Sequence, residues 1–440
     1  MTTEALKAAL GHLEIDDNPV SVRAKSRDFF WYSPVLKARM DHLTADFVVS
    51  PKSEAEVVEV LRLAHHHNVP VTVRGAGTGN YGQAMPMRGG VVLHMKHLNK
   101  VRAVLPGRVI VEPGCILRDL DAATRAHSGQ ELRMHPSTYT TATIGGFIGG
   151  GSGGIGSCTW GVLRDLGNIL RLRVVTAEAE PQVIEFTGEE LHRVSHAYGT
   201  NGVITEVEVP LAPAYDWIDI LVTHRDFATA VQIAGDLGHQ DGILKKLISV
   251  YEAPTASAYF PRVAPHVRYP GARLIFRSDA THWPKEPGPV FEYGWNHTTL
   301  RALKVDPAIT YLQVLYAPGT YEAKIAEVRA AFPGELLQHL EAMRVDGKMA
   351  FAGLTLVKFT TEARLNEIVR LHEAMGSMVF NPHRYTLEEG GRQSTDPGQL
   401  AFKRQADPKG ILNPGKMIAW DAPDWTYDRM YSDPGMKAAE

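Results

Sequence analysis

The chain has 440 residues, 44% of them hydrophobic, and a formal charge of −3 at neutral pH. That length supports more than one hydrophobic core, so two or more domains are expected, and the nearly balanced charge leaves no basic footprint for nucleic acid. No stretch approaches the roughly 18 uninterrupted apolar residues of a membrane helix, and Met1-Thr-Thr-Glu-Ala-Leu-Lys7 lacks a basic region followed by an apolar run, so a cytoplasmic location is expected.

The first strong pattern is a helix over Ser53–His66, with Ser53 and Glu56 placed as a capping box and Val57, Val58, Val60, Leu61 and Ala64 on one apolar face. It ends in His65-His66-His67. Consecutive helical residues point in different directions, so this run reads as a solvated helix end favoured by the dipole and not as a metal site. No other constellation has metal-ligand spacing, and no metal is expected. A strand over Val69–Val73 then leads into Val71-Thr-Val-Arg-Gly-Ala-Gly-Thr-Gly-Asn-Tyr-Gly-Gln83. Glycine is what a backbone needs when it must approach an anion closely and present successive N–H groups to it. Gly77 to Gly82 formally satisfy G-x-G-x-x-G. A nicotinamide-type unit requires a helix at the third glycine and an acidic residue after the next strand; here Met85-Pro-Met-Arg-Gly-Gly90 breaks any helix and the strand Val91–Met95 runs into Lys96, so that reading is rejected. A strand at Val109–Val111, a helix at Ile116–Ala126 and a second glycine-rich loop, Thr143 to Gly154, follow. Strands are expected at Leu170–Thr176, Val183–Phe186 and Val203–Val209. Two glycine loops beside strands imply an extended diphosphate ligand gripped from both sides.

After Pro210-Leu-Ala-Pro213 the pattern changes. Strands at Ile218–Thr223, Tyr311–Tyr316 and Phe351–Phe359 alternate with helices at Phe227–Leu237, Tyr321–Phe332 and Glu362–Met375, which suits an antiparallel sheet with helices on one face. Between them, Pro254–Pro289 is rich in proline and aromatic residues and is expected to be an irregular insertion on the substrate side. From Gly376 the chain is expected to return to the first domain, and the aromatic stretch Trp420 to Tyr431 to pack on the surface or across an interface.

In five ordered motifs the chain resembles the vanillyl-alcohol oxidase and p-cresol methylhydroxylase (PCMH) superfamily: Arg74–Gln83; Ile110-Val-Glu-Pro-Gly114; Pro136-Ser137 with Thr143-Ile-Gly-Gly146; Trp160-Gly-Val-Leu-Arg-Asp165 with Tyr198-Gly-Thr-Asn-Gly-Val-Ile-Thr205; and Asp407-Pro-Lys-Gly-Ile-Leu-Asn-Pro-Gly-Lys416. The resemblance implies an α+β fold in which a two-lobed PCMH-type FAD-binding domain, residues 1–213, carries a ferredoxin-like α+β cap, residues 214–375, with residues 376–440 returning to the FAD domain. It places the diphosphate on Arg74, Gly75, Ala76, Gly77, Thr78, Gly79, Asn80 and Tyr81, and the ribityl chain and ring edge on Pro136, Ser137, Thr143, Gly145 and Gly146. Gly202 and Ile204 fall on the adenine side, and Asn413 and Lys416 in the terminal motif, where a lysine can stabilise the reduced ring. Tyr81, Tyr139 and Trp160 are further candidates for the flavin face. No histidine lies between Arg74 and Gly90, and Cys158 reads as a small buried hydrophobe, so FAD is expected to be non-covalent. Cys115 and Cys158 alone cannot build an iron–sulfur cluster, so electrons would leave for oxygen, a small acceptor or a separate protein.

The expected chemistry is an FAD-dependent oxidoreductase taking a hydride from a small alcohol or 2-hydroxy acid, with glycolate-oxidase and D-lactate-dehydrogenase relatives as guides. A phenol-type oxidase and a catalytically silent flavin-binding subunit of a larger complex remain as alternatives. The Gly-Glu-His-Gly segment of the hydroxy-acid enzymes is absent, and no His-x-His occurs outside the His65–His67 run. In place of the first stands Asn381-Pro-His-Arg-Tyr-Thr-Leu-Glu-Glu-Gly-Gly391, which offers His383 as a base, Arg384 as a carboxylate clamp and Tyr385 to orient a hydroxyl. A second cluster, Tyr293-Gly-Trp-Asn-His-Thr-Thr299, would put Trp295 and His297 on one side of a strand, with His297 the further catalytic candidate.

Overall fold

The computed structural model describes residues 3–151, 153–260, 273–278 and 289–427. Apolar residues at Val57, Val60, Leu61 and Ala64 bury one face of the helix Glu54–His67. Ser53 accepts from the amide of Glu56, while the Glu56 carboxylate reaches back to the amide of Lys52, one residue beyond the expected box. The helix stops at Asn68, whose left-handed backbone (φ 54) closes the C-terminus. His65 is not solvated as expected: it is buried, with Nδ1 2.9 Å from the Ala177 carbonyl.

This helix crosses between two parallel neighbours of one central strand. Phe47–Val49 and Val71–Arg74 both pair with Val91–His94, and Ile15–Asp16 adds an antiparallel edge. A second, antiparallel sheet runs Val101–Leu105, Arg108–Val111, Val203–Pro213, Arg171–Val175, Val183–Thr187, with Gln130–Leu132 pairing to the far end of Val203–Pro213. Between the two sheets the glycine-rich stretch after Thr143 is not a plain loop. Thr143 Oγ1 accepts from the amide of Gly146 and starts a helix, Ile144–Gly150, whose Ile144, Phe147 and Ile148 are buried.

The third sheet has seven antiparallel strands in the order Ile218–Thr223, Arg273–Ser278, Lys245–Tyr251, His339–Val345, Lys348–Gly353, Gln313–Tyr316, Met378–Phe380. Strand alternation divides its two faces. Ile248, Val250, Leu340, Ala342, Val314 and Val379 share one apolar cluster with the helices Phe227–His239, Tyr321–Ala331 and Glu362–Ala374. Their neighbours Ser249, Tyr251, Glu341, Gln313 and Phe380 alternate onto the face without those helices.

Three expectations change. The stretch after Pro254 is not wholly irregular: it opens in the helix Ala253–Tyr259, and Arg273–Ser278 pairs on both sides within the seven-stranded sheet; residues 261–272 and 279–288 lie outside the described residues. Tyr293–Thr299 is no strand but a turn leading into the helix Asn296–Val305. Met378–Phe380 pairs within the seven-stranded sheet, so that sheet extends past Gly376, where the return to the first domain is expected.

Candidate active site

A large cavity lies between the two glycine-rich segments and the helix-free face of the seven-stranded sheet, with about 1680 Å³ of empty space including its open mouth. From the predicted set, Gly75, Ala76, Gly77, Thr78, Gly79, Asn80, Tyr81, Pro136, Ser137, Thr143, Gly145, Gly146, Gly202, Ile204 and His297 line it. Close approach explains the glycines. A Cβ on Gly75 would lie 2.2 Å from Thr143 Oγ1, and one on Gly145 would lie 2.5 Å from Pro113 Cβ, so the first segment packs on Thr143, and the second on Pro113, only because each of these glycines lacks a side chain. At Gly149, by contrast, a Cβ would meet no protein atom within 4 Å. There the missing side chain leaves room in the cavity. No hydrogen bond within the described residues uses the amides from Gly75 to Asn80, so these donors are available to an anion, as buried backbone donors require. Room, close backbone and unspent amides together fit an extended diphosphate cofactor.

Three residues expected to touch the cofactor stand one layer behind the wall. Arg74 is buried and donates to the carbonyls of Ala76 (3.1 Å) and Arg27, bracing the turn at Gly77 (φ 69) from beneath. Asn413 Nδ2 donates to the carbonyls of Gln83 (2.8 Å) and Tyr198 (2.7 Å), both cavity residues. Lys416 is fully buried, with Nζ 2.5 Å from the Gly82 carbonyl. Burial pushes its ammonium down, and the neighbouring Asp28 carboxylate opposes that shift. These contacts hold the first loop. They differ from the expected direct contacts because each long side chain turns back to satisfy loop carbonyls.

The segment after Asn381 also departs from expectation. An Asx turn, in which Asn381 Oδ1 accepts from the His383 amide, sends His383 inward. Its Nε2 lies 2.9 Å from the Tyr311 carbonyl and its Nδ1 2.7 Å from Ser33 Oγ, it is 2% exposed, and burial drives its imidazole down to about 3. A neutral ring with both nitrogens engaged has no free site for a substrate proton. Arg384 and Tyr385 are likewise off the cavity wall, and Tyr385 receives the Lys416 ammonium over its ring at 4.9 Å. What this segment does bring to the wall is Gly390 and Gly391, from the π-helical turn Glu388–Arg392. Tyr81 is on the wall; Tyr139 is not, its hydroxyl donating to Asp121, and Trp160 is half-exposed beneath the Arg133 guanidinium. Cys158 is buried in the apolar cluster between the seven-stranded sheet and its helices, with its thiol pushed up to about 11.

Other wall residues escaped sequence reasoning. Asp28, Phe29 and Tyr32 reach the cavity from an N-terminal segment, where Asp28 Oδ1 accepts from Phe30 N (2.9 Å) and Oδ2 from Ala84 N (3.2 Å). The aromatic run Phe29-Phe30-Trp31-Tyr32 behind an aspartate was the available signal. Burial raises the Asp28 carboxyl. Tyr198 and His196 both have positive φ (54 and 53), and burial with the Arg164 and Arg392 guanidiniums lowers the His196 imidazole to about 4. From the seven-stranded sheet come Gln313 and Phe380, and from the turn and helix at Tyr293–Val305 come Trp295, Asn296 and His297. His297 is buried on the wall, with Nδ1 3.3 Å from Glu292 Oε2. The adjacent His297 imidazole, with the Arg301 guanidinium, holds the Glu292 carboxyl below its ordinary range.

Residues 45–185 match a family described as an FAD binding domain. The chain is 34% identical over 194 residues to an uncharacterized FAD-linked oxidoreductase of Mycobacterium tuberculosis, covering 41% of each. It is 31% identical over 205 residues to a glycolate oxidase subunit of Bacillus subtilis (44% of this chain, 42% of the relative) and 32% over 176 residues to a D-lactate dehydrogenase of Archaeoglobus fulgidus (38% of each). The matches thus span about two fifths of these relatives' length. Over 94% of the chain and 85% of the other, the fold is similar to that of an alkyldihydroxyacetonephosphate synthase, at 16% identity and a TM-score of 0.72. The cofactor of this chain is FAD.

Proposed function

We propose that this FAD-binding chain is an oxidoreductase that removes a hydride from a carbon bearing a hydroxyl group, in a small alcohol or 2-hydroxy acid, with His297 accepting the hydroxyl proton. The observation that carries this is a buried imidazole on the cap-side wall, backed by a carboxylate at 3.3 Å and facing a cavity whose other wall is the glycine-rich cradle. The names of the glycolate oxidase and D-lactate dehydrogenase relatives support the same substrate class.

Bound FAD supplies a two-electron acceptor for the hydride. The first-loop amides would hold its diphosphate, with Arg74, Asn413 and Lys416 keeping that loop in shape. Glu292 beside Nδ1 orients the His297 ring with that nitrogen protonated, which leaves Nε2 as the acceptor. Loss of the hydroxyl proton to Nε2 and of the hydride from the same carbon leaves a carbonyl product. The proton then returns to water when the product departs.

The test is anaerobic mixing of the purified yellow protein with a panel of hydroxy acids, alcohols, benzylic alcohols and phenols. Bleaching of the flavin absorbance by a hydroxyl compound is expected, and His297→Gln should slow it on the order of 10²-fold or more. No bleaching by any member of the panel sinks the oxidoreductase reading; bleaching at the wild-type rate in the variant removes His297 from the mechanism.

A further inference from the structure

Tyr32 ends the short turn Phe30–Tyr32 and is only 1% exposed, yet it lines the cavity. Its hydroxyl makes no hydrogen bond to any described residue, and, unlike the hydroxyl of the neighbouring Tyr311, it is not sealed from solvent. For a side chain so nearly enclosed, that opening is onto the cavity it lines. His297 shows the same arrangement: its Nε2 is unpartnered and open among the described residues, whereas Nδ1, beside Glu292, is sealed. The helix that carries His297, Asn296–Val305, packs against Phe30–Tyr32, so the two residues stand at the same end of the cavity.

The Tyr32 ring is held on several sides. It stacks on Phe29, with centroids 5.9 Å apart, and meets Trp31 at 4.8 Å and Tyr311 at 6.1 Å edge-on. Its carbonyl accepts from Thr310 Oγ1 at 2.8 Å. His383, which has no free nitrogen for a substrate, ties the surroundings of this ring together. Its Nδ1 lies 2.7 Å from Oγ of Ser33, the next residue in the chain, and its Nε2 lies 2.9 Å from the carbonyl of Tyr311. Burial raises the Tyr32 phenol, which therefore keeps its proton at neutral pH and acts as a donor. When a ligand displaces water from this end of the cavity, the donor needs an acceptor on the ligand, or its desolvation goes unrepaid. We propose that Tyr32 is a substrate-binding residue, donating its hydroxyl to a substrate oxygen other than the one deprotonated at His297, and that His383 is the positioning residue that holds it there. The substrate this fits carries a second oxygen that accepts a hydrogen bond, as a 2-hydroxy acid or a hydroxy ketone does and a simple alcohol does not. The proposal rests on the reading of His297 as the base at this end of the cavity.

Binding to the holoprotein without turnover tests it. Acetate, acetamide and benzamide present an acceptor oxygen but no oxidisable hydroxyl, and their occupancy is read from the shift of the flavin absorbance bands. At least one probe is expected to bind, and Tyr32→Phe, which removes only the oxygen, should weaken it about three- to tenfold, the worth of one neutral hydrogen bond, with FAD affinity unchanged. Wild-type protein that binds none of the three, or equal affinity in Y32F, overturns the Tyr32 assignment, whether or not any compound bleaches the flavin. A loss of FAD affinity in Y32F gives the hydroxyl to the cofactor and overturns it as well. His383→Ala should weaken the same probe, His383→Gln should restore part of the loss, and H383A should add nothing to Y32F in a double variant. Full additivity, or unchanged affinity in H383A, overturns the positioning role. If H383A loses its flavin, Ser33→Ala, which breaks the His383 link beside Tyr32 and leaves the one to Tyr311, makes the same comparison. Failure of all bleaching, with probe binding that Y32F weakens, would sink the oxidoreductase reading alone.

Discussion

At Gly75 the missing side chain joins two halves of the cofactor site. A Cβ there would stand 2.2 Å from Thr143 Oγ1 but 3.4 Å from Thr143 Cβ, so the hydroxyl is the obstacle. Gly75→Ala is expected to lower FAD affinity at least tenfold. Thr143→Ala, which loses the cap on Gly146 worth about 1 kcal/mol, should on its own cost stability. Combined, the two changes should bind FAD better than G75A alone, because alanine at 143 removes the clashing oxygen. Reconstitution of apoprotein with FAD, read by flavin fluorescence, checks the sign of that coupling; a double variant worse than either single one counts against loop contact at this point. His383 gives a residue-scale pH prediction. Its Nε2–H donates to the Tyr311 carbonyl, and Ser33 Oγ, which accepts from the Leu36 amide, directs its own hydrogen to Nδ1. The folded imidazole therefore stays neutral down to about 3, while in the unfolded chain it takes up a proton near the ordinary 6.5. The unfolded state binds more protons below that value, so stability present above pH 6.5 is lost progressively as pH falls toward 3. The midpoint of urea unfolding, followed from pH 7 to pH 4, should fall, and less steeply in His383→Asn.

At the scale of elements, the seven-stranded sheet is tied to the flavin lobe by buried charge. Lys246, on the strand Lys245–Tyr251, donates to Glu131 Oε1 (2.8 Å) and to the Leu132 carbonyl (3.0 Å), and Glu131 also pairs with Arg125 and accepts from Trp217 Nε1. Removing one member of such a buried pair strands the other, at a typical cost of 3–5 kcal/mol. Glu131 keeps two partners here. Lys246→Met is accordingly expected to cost about 3 kcal/mol, near the low end of that range, measured by urea unfolding. The same interface shows which elements were legible in sequence. The helices Glu54–His67 and Tyr321–Ala331 and the strand Ile218–Thr223 follow from short-range periodicity and emerge within a residue or two of expectation. The strand Arg273–Ser278 does not, because its place depends on partners at Ile218–Thr223 and Lys245–Tyr251 and not on its own composition. The turn at Trp295 was hidden for a similar reason: a carboxylate 46 residues away sets its backbone.

Over the whole molecule, the cofactor cradle was the most legible part of the site, since glycine spacing encodes backbone approach directly, whereas the place of the segment after Asn381 was not. His383 resembled a loop base but is packed between Ser33 and Tyr311, contacts that only the folded chain creates. The same packing bears on how FAD is held. A covalent link needs a nucleophile on the cavity wall. Cys115 and Cys158 are both buried with thiols pushed up to about 11, and neither lines the cavity. The described histidines that do line it are His196 and His297, and the first loop contributes none. With no cysteine on the wall and no histidine in the first loop, acid precipitation is expected to release the flavin completely into the supernatant, where its absorbance matches free FAD. Yellow colour retained in the pellet would show a bond instead, and the mass of the flavin-bearing peptide, whether it contains His196 or His297, would say which wall of the cavity forms it.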